Sequence, residues 1–395
     1  MNPARFVCTT AMAAATLAII LPAAAQSAGK NHGSYELTIL PNPLGGNLAQ
    51  GTSINSRKQV AGFAVLSGNT TMHAMVWAKG HAPQDLGTLG GPNSAIAWPN
   101  RNDRDQFAGI AETSVQNPLG EDWSCALAVF NIAAPTGDIC LGFRYQNGVM
   151  TALPTLGGYD GFATGINNHG QIVGWAENST RDPTCVAPQV LQFEAVIWGP
   201  EDNEFEQLPP YGTDPDGAAT AINSRGQVVG ISGQCGIAVG GASAEHMLLW
   251  YKNTVMSLPT LGGQYWNTPM DISDNGDVTG FSDHPGDSVS SPNFTTFLWI
   301  SSTGQTQDLG TLGTDNVSEG LGINDSDQVV GVSYPSGHGF IWQNGLMTDL
   351  NSLMPPNSGY TITDAQDINN AGDITGEAQD NSTGVTYAFI ATPRK

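Results

Sequence analysis

The sequence predicts an all-β chain: a seven-bladed β-propeller with four-stranded blades, closed by the N-terminal strand pairing in the last blade. Three observations predict it. A hairpin motif recurs seven times, Gly and Pro interrupt short β-rich stretches at regular spacing, and the two ends of the repeat region are complementary strands of one unit. Two packed propeller-like halves or a β-solenoid are the alternatives that this pattern leaves open.

Composition excludes several classes of partner. The chain has 13 Lys and Arg against 35 Asp and Glu, a net charge of -22, which disfavours nucleic acid and anionic membrane surfaces. Hydrophobic residues make up 40%, enough for a folded core.

The N-terminal segment has the layout of a cleavable secretory signal. Arg5 precedes an apolar run from Ala11 to Ile20, and small residues follow up to Ala25. The run is too short for a comfortable membrane span, and no second apolar stretch follows it. We therefore predict a secreted protein, extracellular or periplasmic. The predicted regions are a signal peptide (1–25), a flexible mature N-terminus (26–34), one propeller domain (35–391) and a C-terminal tail (392–395).

Each hairpin copy is a short apolar strand, a turn led by Asn in six copies, and a β-branched strand. The copies start at Ile54, Arg101, Ile166, Ile222, Ile272, Ile323 and Ile368. The fourth turn position is Gly, or Asp at 105 and 327, which predicts a left-handed residue there and makes Lys58 the strained exception. A Gly follows each turn, as in Gly62 and Gly174, and predicts close approach by a neighbouring element.

A third strand ending in an aromatic residue and a fourth, Leu-Gly-rich strand follow most hairpins. Before the first hairpin, Tyr35 to Leu40 reads as a fourth strand without the preceding three. At the other end, Tyr387 to Ile390 reads as a third strand without a fourth. An open array would expose unpaired edges, whereas a ring completes its last blade with the first strand.

Three of the third strands are led by His: His73 to Trp77, His246 to Trp250 and His338 to Trp342. Each is followed by segments like Leu-Gly-Thr-Leu-Gly-Gly and Ile-Asn-x-x-Gly-Gln-Val-Val-Gly. These motifs resemble the HAF repeats of probable extracellular proteins, and the resemblance spans nearly all of residues 35–391. Leu141, Ala195 and Thr296 replace the His in other copies. The resemblance implies secretion and the repeat count, and it implies no common activity.

Four cysteines follow the predicted signal, which allows three disulfide connectivities. Cys125 and Cys140 flank a short stretch with a Pro-Thr-Gly turn, so local spacing favours their pairing and leaves Cys185 with Cys235. Four free buried thiols are the alternative.

Function is expected at one face of the ring. Connections from second to third strands and from fourth strands to the next first strands emerge together there, and the former are long in copies 2 to 5. The latter carry flat rings that could stack on sugars or peptides. The predicted ligand-binding residues are Tyr159, Tyr211, Tyr265, Trp266 and Tyr360.

Acidic residues near the same face could in principle supply a glycosidase pair, but 35 acids make such neighbours common. They are Glu112, Glu121, Asp122, Glu177, Asp182, Asp283 and Asp287. The Asp271 to Asp277 segment is predicted to be a structural turn, not a calcium loop, because it lacks the closing Glu. We predict no catalytic residues, no metal site and no cofactor.

The sequence thus favours a secreted, non-catalytic binding protein, a monomer that presents a looped, aromatic-lined face to a carbohydrate or peptide. A polysaccharide hydrolase or lyase with an axial carboxylate site is the first alternative. A purely structural extracellular protein is the second.

Overall fold

The computed structural model describes residues 35–121, 125, 129–130, 135–201, 204–238, 244–288 and 293–394. The predicted signal peptide and the 26–34 segment lie outside these ranges. Strands dominate the described chain, with one α-helical turn, Cys235–Ala238, and one 3-10 turn, Leu350–Leu353. In the ranges just given, no helix combines the length and apolar character that crossing a membrane requires.

The chain opens with β1 (Tyr35–Leu40) and then builds successive four-stranded antiparallel groups, which we call sheets 1 to 7. Sheet 1 is β2 (Gly45–Ile54), β3 (Val60–Leu66), β4 (Met72–Trp77) and β5 (Gln84–Asp85). Sheet 2 is β6 (Gly90–Ala95), β7 (Phe107–Gln116), β8 (Asp138–Gln146) and β9 (Val149–Ala152). Sheet 3 is β10 (Gly157–Ile166), β11 (Ile172–Arg181), β12 (Leu191–Trp198) and β13 (Phe205–Gln207).

Sheet 4 is β14 (Asp216–Ile222), β15 (Val228–Gly233), β16 (His246–Tyr251) and β17 (Thr254–Leu258). Sheet 5 is β18 (Thr268–Ile272), β19 (Val278–Asp283), β20 (Phe294–Ile300) and β21 (Gln305–Gly310). Sheet 6 is β22 (Val317–Ile323), β23 (Val329–Tyr334), β24 (His338–Gln343) and β25 (Leu346–Asp349). The prediction of an all-β chain built from four-stranded antiparallel sheets is confirmed.

Sheet 7 contains both ends of the described chain. It is formed by β26 (Tyr360–Ile368), β27 (Ile374–Asp380), β28 (Thr386–Pro393) and β1. β1 pairs antiparallel with β28, from Tyr35 opposite Pro393 to Leu40 opposite Ala388. β28 therefore extends two residues beyond the predicted domain boundary at 391. A single parallel pairing, Leu48 with Thr386, also links sheet 1 to sheet 7.

The repeated turns have the predicted backbone. Gly170 (φ 81°) and Asp105 (φ 57°) are left-handed, and so is Lys58 (φ 61°). The Lys58 ammonium lies 2.7 Å from a carboxylate oxygen of Asp373, in the hairpin turn of sheet 7. This ion pair gives the strained Lys58 turn a contact to another sheet.

The repeated glycine is approached closely, as predicted, and the approaching element is the first strand of its own sheet. A Cβ on Gly174 would clash with the carbonyl oxygen of Phe162, and a Cβ on Gly331 with that of Glu319. The same clash would occur at the repeated glycine of all seven sheets. In six of them, the pairing of the first and second strands has a register shift close to the glycine. The glycine is thus required by the close approach of the first strand in every sheet, and a bulge accompanies that approach in six of them.

The asparagine that leads each turn links one sheet to the next. The Asn167 side chain accepts hydrogen bonds from the backbone N–H of His169 and Gln171, and its Nδ2 donates to the carbonyl oxygen of Asn223 at 3.0 Å. Equivalent amide-to-carbonyl bonds run from Asn55 to Asn102, Asn102 to Asn167, Asn223 to Ser273, Asn324 to Asn369 and Asn369 to Asn55. Ser273 replaces the Asn in sheet 5, where the backbone N–H of Asp274 donates to Asp325 instead, at 2.8 Å.

The apolar core is divided into clusters between neighbouring sheets. Leu298 of sheet 5 packs with Phe340 of sheet 6, for example, in one cluster of fully or nearly buried residues. Another cluster joins Leu40 of β1 and Ala388 of β28 to Met75 of sheet 1. Burial therefore holds the last sheet against the first by the same kind of contact that joins sheets consecutive in the chain.

Candidate functional site

Long and short connections meet at one end of the molecule, which we call the looped end. The long ones are 117–137, 182–190, 234–245 and 284–293, between second and third strands. Parallel bridges at this end join Leu89 to Thr113 within sheet 2 and Leu156 to Asn178 within sheet 3, in each case the segment entering the first strand to the second strand. A third bridge joins Ala244, in the 234–245 connection of sheet 4, to Trp266, in the segment entering sheet 5. The opposite end, formed by the Asn-led hairpin turns, is the turn end.

Both favoured cysteine pairs form disulfides. Cys125–Cys140 ties the 117–137 connection to β8, with a Cα–Cα distance of 5.7 Å. Cys185–Cys235 joins the looped ends of sheets 3 and 4, with a Cα–Cα distance of 4.6 Å. Two disulfides fit an extracellular or periplasmic location.

The five aromatic residues predicted to bind ligand all lie in segments at the looped end. Tyr159 and Tyr211 are exposed, and Tyr265, Trp266 and Tyr360 are half-buried. Three of them contact rings of sheet strands: Tyr211 lies 5.0 Å from His246, Trp266 lies 5.7 Å from Phe294, and Tyr360 lies 6.4 Å from Tyr387. Those contacts hold these three rings against individual sheets, and a shared platform remains a prediction.

A more distinctive feature is a cross-strand pair that recurs in every sheet beside the repeated glycine. Its first member is the residue whose carbonyl oxygen abuts the glycine, and its second is the residue that follows the glycine. The pairs are Gln50 with Phe63, Ala95 with Ile110, Phe162 with Trp175, Ala218 with Ile231, Thr268 with Phe281, Glu319 with Val332 and Asp364 with Glu377. The second member is apolar in six sheets and acidic in sheet 7.

Asp364 and Glu377 are thus two carboxylates directly opposite each other on β26 and β27, and Glu319 is the equivalent first-strand residue of sheet 6. Like charges placed directly opposite destabilise a sheet, so this pair costs stability. All three side chains are half-buried. We call Glu319, Asp364 and Glu377 the acidic cluster.

No basic side chain is among the groups that shift the pKa values of the three acids in the acidic cluster. Burial raises the pKa of Asp364 to about 6, and burial with the Asp364 charge raises those of Glu319 to about 7 and Glu377 to about 8. Burial and the three carboxylates together raise the pKa of the Tyr334 hydroxyl.

Two amides approach the centre of the cluster. Gln50 Nε2 donates to Asp364 Oδ2 at 3.3 Å, and Gln366 Nε2 donates to the same oxygen. Among the described residues, Asp364 Oδ1 is buried and has no hydrogen-bond partner. The cluster could therefore accept a proton or a cationic group.

Apolar side chains occupy both equivalent positions on sheets 2 to 4 and the second position on sheet 1. Phe162 is fully buried, and its ring lies 4.6 Å from that of Trp175 and 5.4 Å from that of Trp98. Phe63 and Leu48 of sheet 1 are partly buried against the same apolar cluster. Since Phe63 is opposite Gln50, the apolar cluster meets the acidic cluster at sheet 1.

The acids suggested by sequence for a glycosidase pair mostly support loops. Glu112, Glu121, Glu177, Asp182 and Asp283 are all buried, Asp287 contacts backbone at the surface, and Asp122 lies outside the described residues. Glu121 accepts hydrogen bonds from the backbone N–H of Val190 and Leu191, and Glu177 from that of Asp160. Their carboxylates satisfy loop N–H groups, which explains their number at this end.

Arg101 at the turn end is a residue whose importance the sequence analysis missed. It replaces the Ile that opens the other hairpin copies, and its guanidinium pairs with Asp271 and lies 3.5 Å from Asp367. The same group donates to the carbonyl oxygens of Ile272 and Ile323. Arg101 thereby joins sheets 2, 5, 6 and 7 at the turn end.

The acidic cluster was missed too, although a signal was available. The residue after the repeated glycine reads Phe, Ile, Trp, Ile, Phe, Val and finally Glu377. Comparison of equivalent positions across the seven copies identifies Glu377 as the one acidic residue at its position. The same comparison identifies Arg101 as the one basic residue among the hairpin starts.

The His-led strands contain His–Asp pairs. Nδ1 of His73 lies 2.9 Å from Asp85, and Nδ1 of His338 lies 2.9 Å from Asp349. Nδ1 of His246 lies 2.8 Å from Asp214, which belongs to the connection entering sheet 4. Asp85 and Asp349, by contrast, each lie on the fourth strand of the same sheet as their histidine.

Comparison with known proteins finds distant structural similarity only. No family model matches the sequence, and no curated protein matches it. Among solved structures, TolB from Acinetobacter baumannii is similar with a TM-score of 0.43 and 11% identity, over 85% of this chain and 64% of that one. This chain thus spans slightly less than two thirds of TolB.

An oligogalacturonate lyase in complex with manganese is similar with a TM-score of 0.44 and 10% identity, covering 85% and 86% of the two chains. Trypanosoma rangeli sialidase is similar with a TM-score of 0.37 and 10% identity, covering 92% and 58%. These similarities are too distant to assign a function, and the function proposed below rests on the geometry of this chain.

Proposed function

We propose that the seven sheets are the blades of one seven-bladed β-propeller, closed by β1 as the outermost strand of the last blade. The amide bonds at the turn end support this, because they run from sheet to sheet and return from Asn369 to Asn55. Trp77 adds support: its Nε1 donates to Pro41, just after β1, as Trp198 donates to Pro154, just after β9. β1 thus behaves as a fourth strand.

We further propose that the protein is a secreted monomer of the HAF-repeat type that binds a cationic segment of a peptide at the acidic cluster. The acidic cluster is the observation that carries this proposal. Its carboxylates are half-buried, and the groups that shift their pKa values include no basic side chain. A Lys or Arg side chain of a ligand would supply the missing charge.

The neighbouring apolar cluster suits the rest of such a ligand. Phe63 lies opposite Gln50, and the Gln50 amide donates a hydrogen bond to Asp364. The aliphatic part or the charged group of a ligand Lys or Arg side chain could therefore lie against the Phe63 ring. The net charge of -22 would attract basic peptides from solution.

The test is peptide binding with matched side chains. Tetrapeptides that differ only in Lys, norleucine or Glu at one position would be titrated by calorimetry into wild type, Asp364→Asn and Glu377→Gln. We expect the Lys peptide to bind best, and each variant to bind it at least ~10-fold more weakly, a loss of ~1.4 kcal/mol. Binding should also weaken as pH falls from 8 to 6, since Glu377, Glu319 and Asp364 take up protons in turn and the cluster loses its charge.

Glu206→Gln is the matched control, because Glu206 is an exposed acid on β13. Binding that ignores ligand charge, or that is lost equally in Glu206→Gln, would contradict the proposal. Chitosan and chitin oligomers in the same titration test the carbohydrate alternative. Tighter binding of either oligomer than of the Lys peptide would favour that alternative.

A hydrolase or lyase is the second candidate, and one observation favours it. Two carboxyls on opposed strand positions have pKa values of about 6 and about 8, which assigns one as a base and the other as an acid near neutral pH. Reducing-end release from a polysaccharide panel, abolished by Glu377→Gln, would support this candidate over peptide binding.

A further inference from the structure

The looped end of sheet 4 contains a second group of convergent side chains, separate from the acidic cluster. One ligand atom from each of Asp214, Glu245 and His246 lies within 4.8 Å of the others. Asp214 comes from the connection between β13 and β14, Glu245 directly precedes β16, and His246 is the first residue of β16. All three are partly exposed, so an ion and its water ligands could reach them.

The other two His–Asp pairs show what is special here. His73 and His338 each have one Asp partner, but the residues that precede them are Met72 and Gly337, which offer no carboxylate. Only the sheet 4 pair, among the three His-led strands, has an acid next to the histidine. Glu245 is thus additional to the His–Asp pair that the three strands share.

The surroundings hold the Asp214 carboxylate in place. Ser232 Oγ donates to Asp214 Oδ2 at 2.5 Å, and the backbone N–H of Tyr211 donates to Ser232 Oγ at 3.2 Å. The Tyr211 ring lies 5.0 Å from the His246 ring and covers one side of it. Outer contacts of this kind orient metal ligands and restrict their rotation.

We propose that Asp214, Glu245 and His246 form a binding site for a divalent transition-metal ion such as Zn²⁺ or Mn²⁺. One imidazole with two carboxylates suits these ions, whereas the imidazole disfavours Ca²⁺ and Mg²⁺. Metal–ligand distances of about 2.0–2.2 Å need ligand atoms no more than ~4.4 Å apart, so a small side-chain rotation would complete the site. Three protein ligands leave open positions for water or for a ligand atom.

The test is metal titration of the chelator-treated full chain by calorimetry, with ZnCl₂, MnCl₂ and CaCl₂ as separate probes. We expect one saturable Zn²⁺ or Mn²⁺ site per chain, and at least ~10-fold weaker binding in Glu245→Gln and in His246→Ala. The melting temperature of wild type should rise with metal, because the ion binds the folded state.

His338→Ala is the matched control, since it removes a His–Asp pair that lacks the third ligand. It should leave the affinity unchanged. Absence of saturable binding in wild type would overturn the proposal, as would equal loss in His338→Ala or tightest binding of Ca²⁺. If His246→Ala fails to fold, Glu245→Gln decides the question, because it alters one partly exposed side chain.

Discussion

Gly174 lies on β11 at a point where the backbone of β10 leaves no room for a side chain. A Cβ there would overlap the carbonyl oxygen of Phe162 and contact the Ala163 backbone. We expect Gly174→Ala to destabilise the fold by ~2–4 kcal/mol, because backbone on both strands would have to move. Denaturant unfolding measures the change.

Gly165→Ala is the control within the same sheet. Its nearest neighbours would be at ordinary contact distances of 3.5 Å or more, and its φ is not left-handed. A similar loss of stability in both variants would show that the clash with Phe162 does not decide the need for glycine.

Arg101 neutralises two buried acids, so its removal should cost more than the loss of its own contacts. In Arg101→Met, Asp271 and Asp367 would be left as uncompensated carboxylates. We expect a loss of ~3–5 kcal/mol at pH 7, measured by chemical denaturation, with partial recovery at pH 5 as the acids take up protons. Arg225→Met, at an exposed turn arginine, should change stability by less than ~0.5 kcal/mol.

At the scale of the element, the two disulfides close loops of different length. Cys185 and Cys235 are 50 residues apart, and Cys125 and Cys140 are 15 apart. The loop-entropy model assigns ~4 kcal/mol to the former and ~3 kcal/mol to the latter. We expect the Cys185→Ser/Cys235→Ser variant to lose more stability than Cys125→Ser/Cys140→Ser, and the reverse order would show that local packing outweighs chain entropy.

The strands were predictable because each hairpin copy contains its own turn and periodicity signals. Tyr35 to Leu40 was recognised as an unpaired fourth strand, and β1 has those bounds. Side-chain contacts between sheets were not predictable in this way. The amide of Asn167 bonds to a carbonyl 56 residues away, a distance that no local pattern encodes.

The features around the candidate site differ in how far the sequence predicted them. The looped end and the disulfides followed from connection lengths and cysteine spacing. The acidic cluster did not, because Asp364 and Glu319 are 45 positions apart and become neighbours only once sheets 6 and 7 pack.

At the scale of the whole molecule, buried acids set the pH dependence of stability. Burial raises the pKa of Asp160 to about 8, of Glu177 to about 7 and of Asp216 to about 9. The folded state therefore holds these protons more tightly than the unfolded chain does. Their contribution to the free energy of unfolding is fully present below pH 4. It is lost as pH rises through the raised pKa values, by up to ~1.4 kcal/mol per pH unit for each group.

We accordingly expect a higher melting temperature at pH 5 than at pH 8, measured by circular dichroism. Asp216→Asn should flatten this dependence. Asp380→Asn should not, because Asp380 is exposed with a lowered pKa and titrates below the tested range. A melting temperature that increases from pH 5 to pH 8 would contradict the expectation.

The pairing of Tyr35 with Pro393 brings the two described ends of the chain onto neighbouring strands. A linker of a few residues could therefore join them, and new termini could be opened between β19 and β20, at the exposed residues Pro285 and Gly286. Such a circularly permuted protein would keep every sheet intact while moving the chain ends from sheet 7 to the looped end of sheet 5.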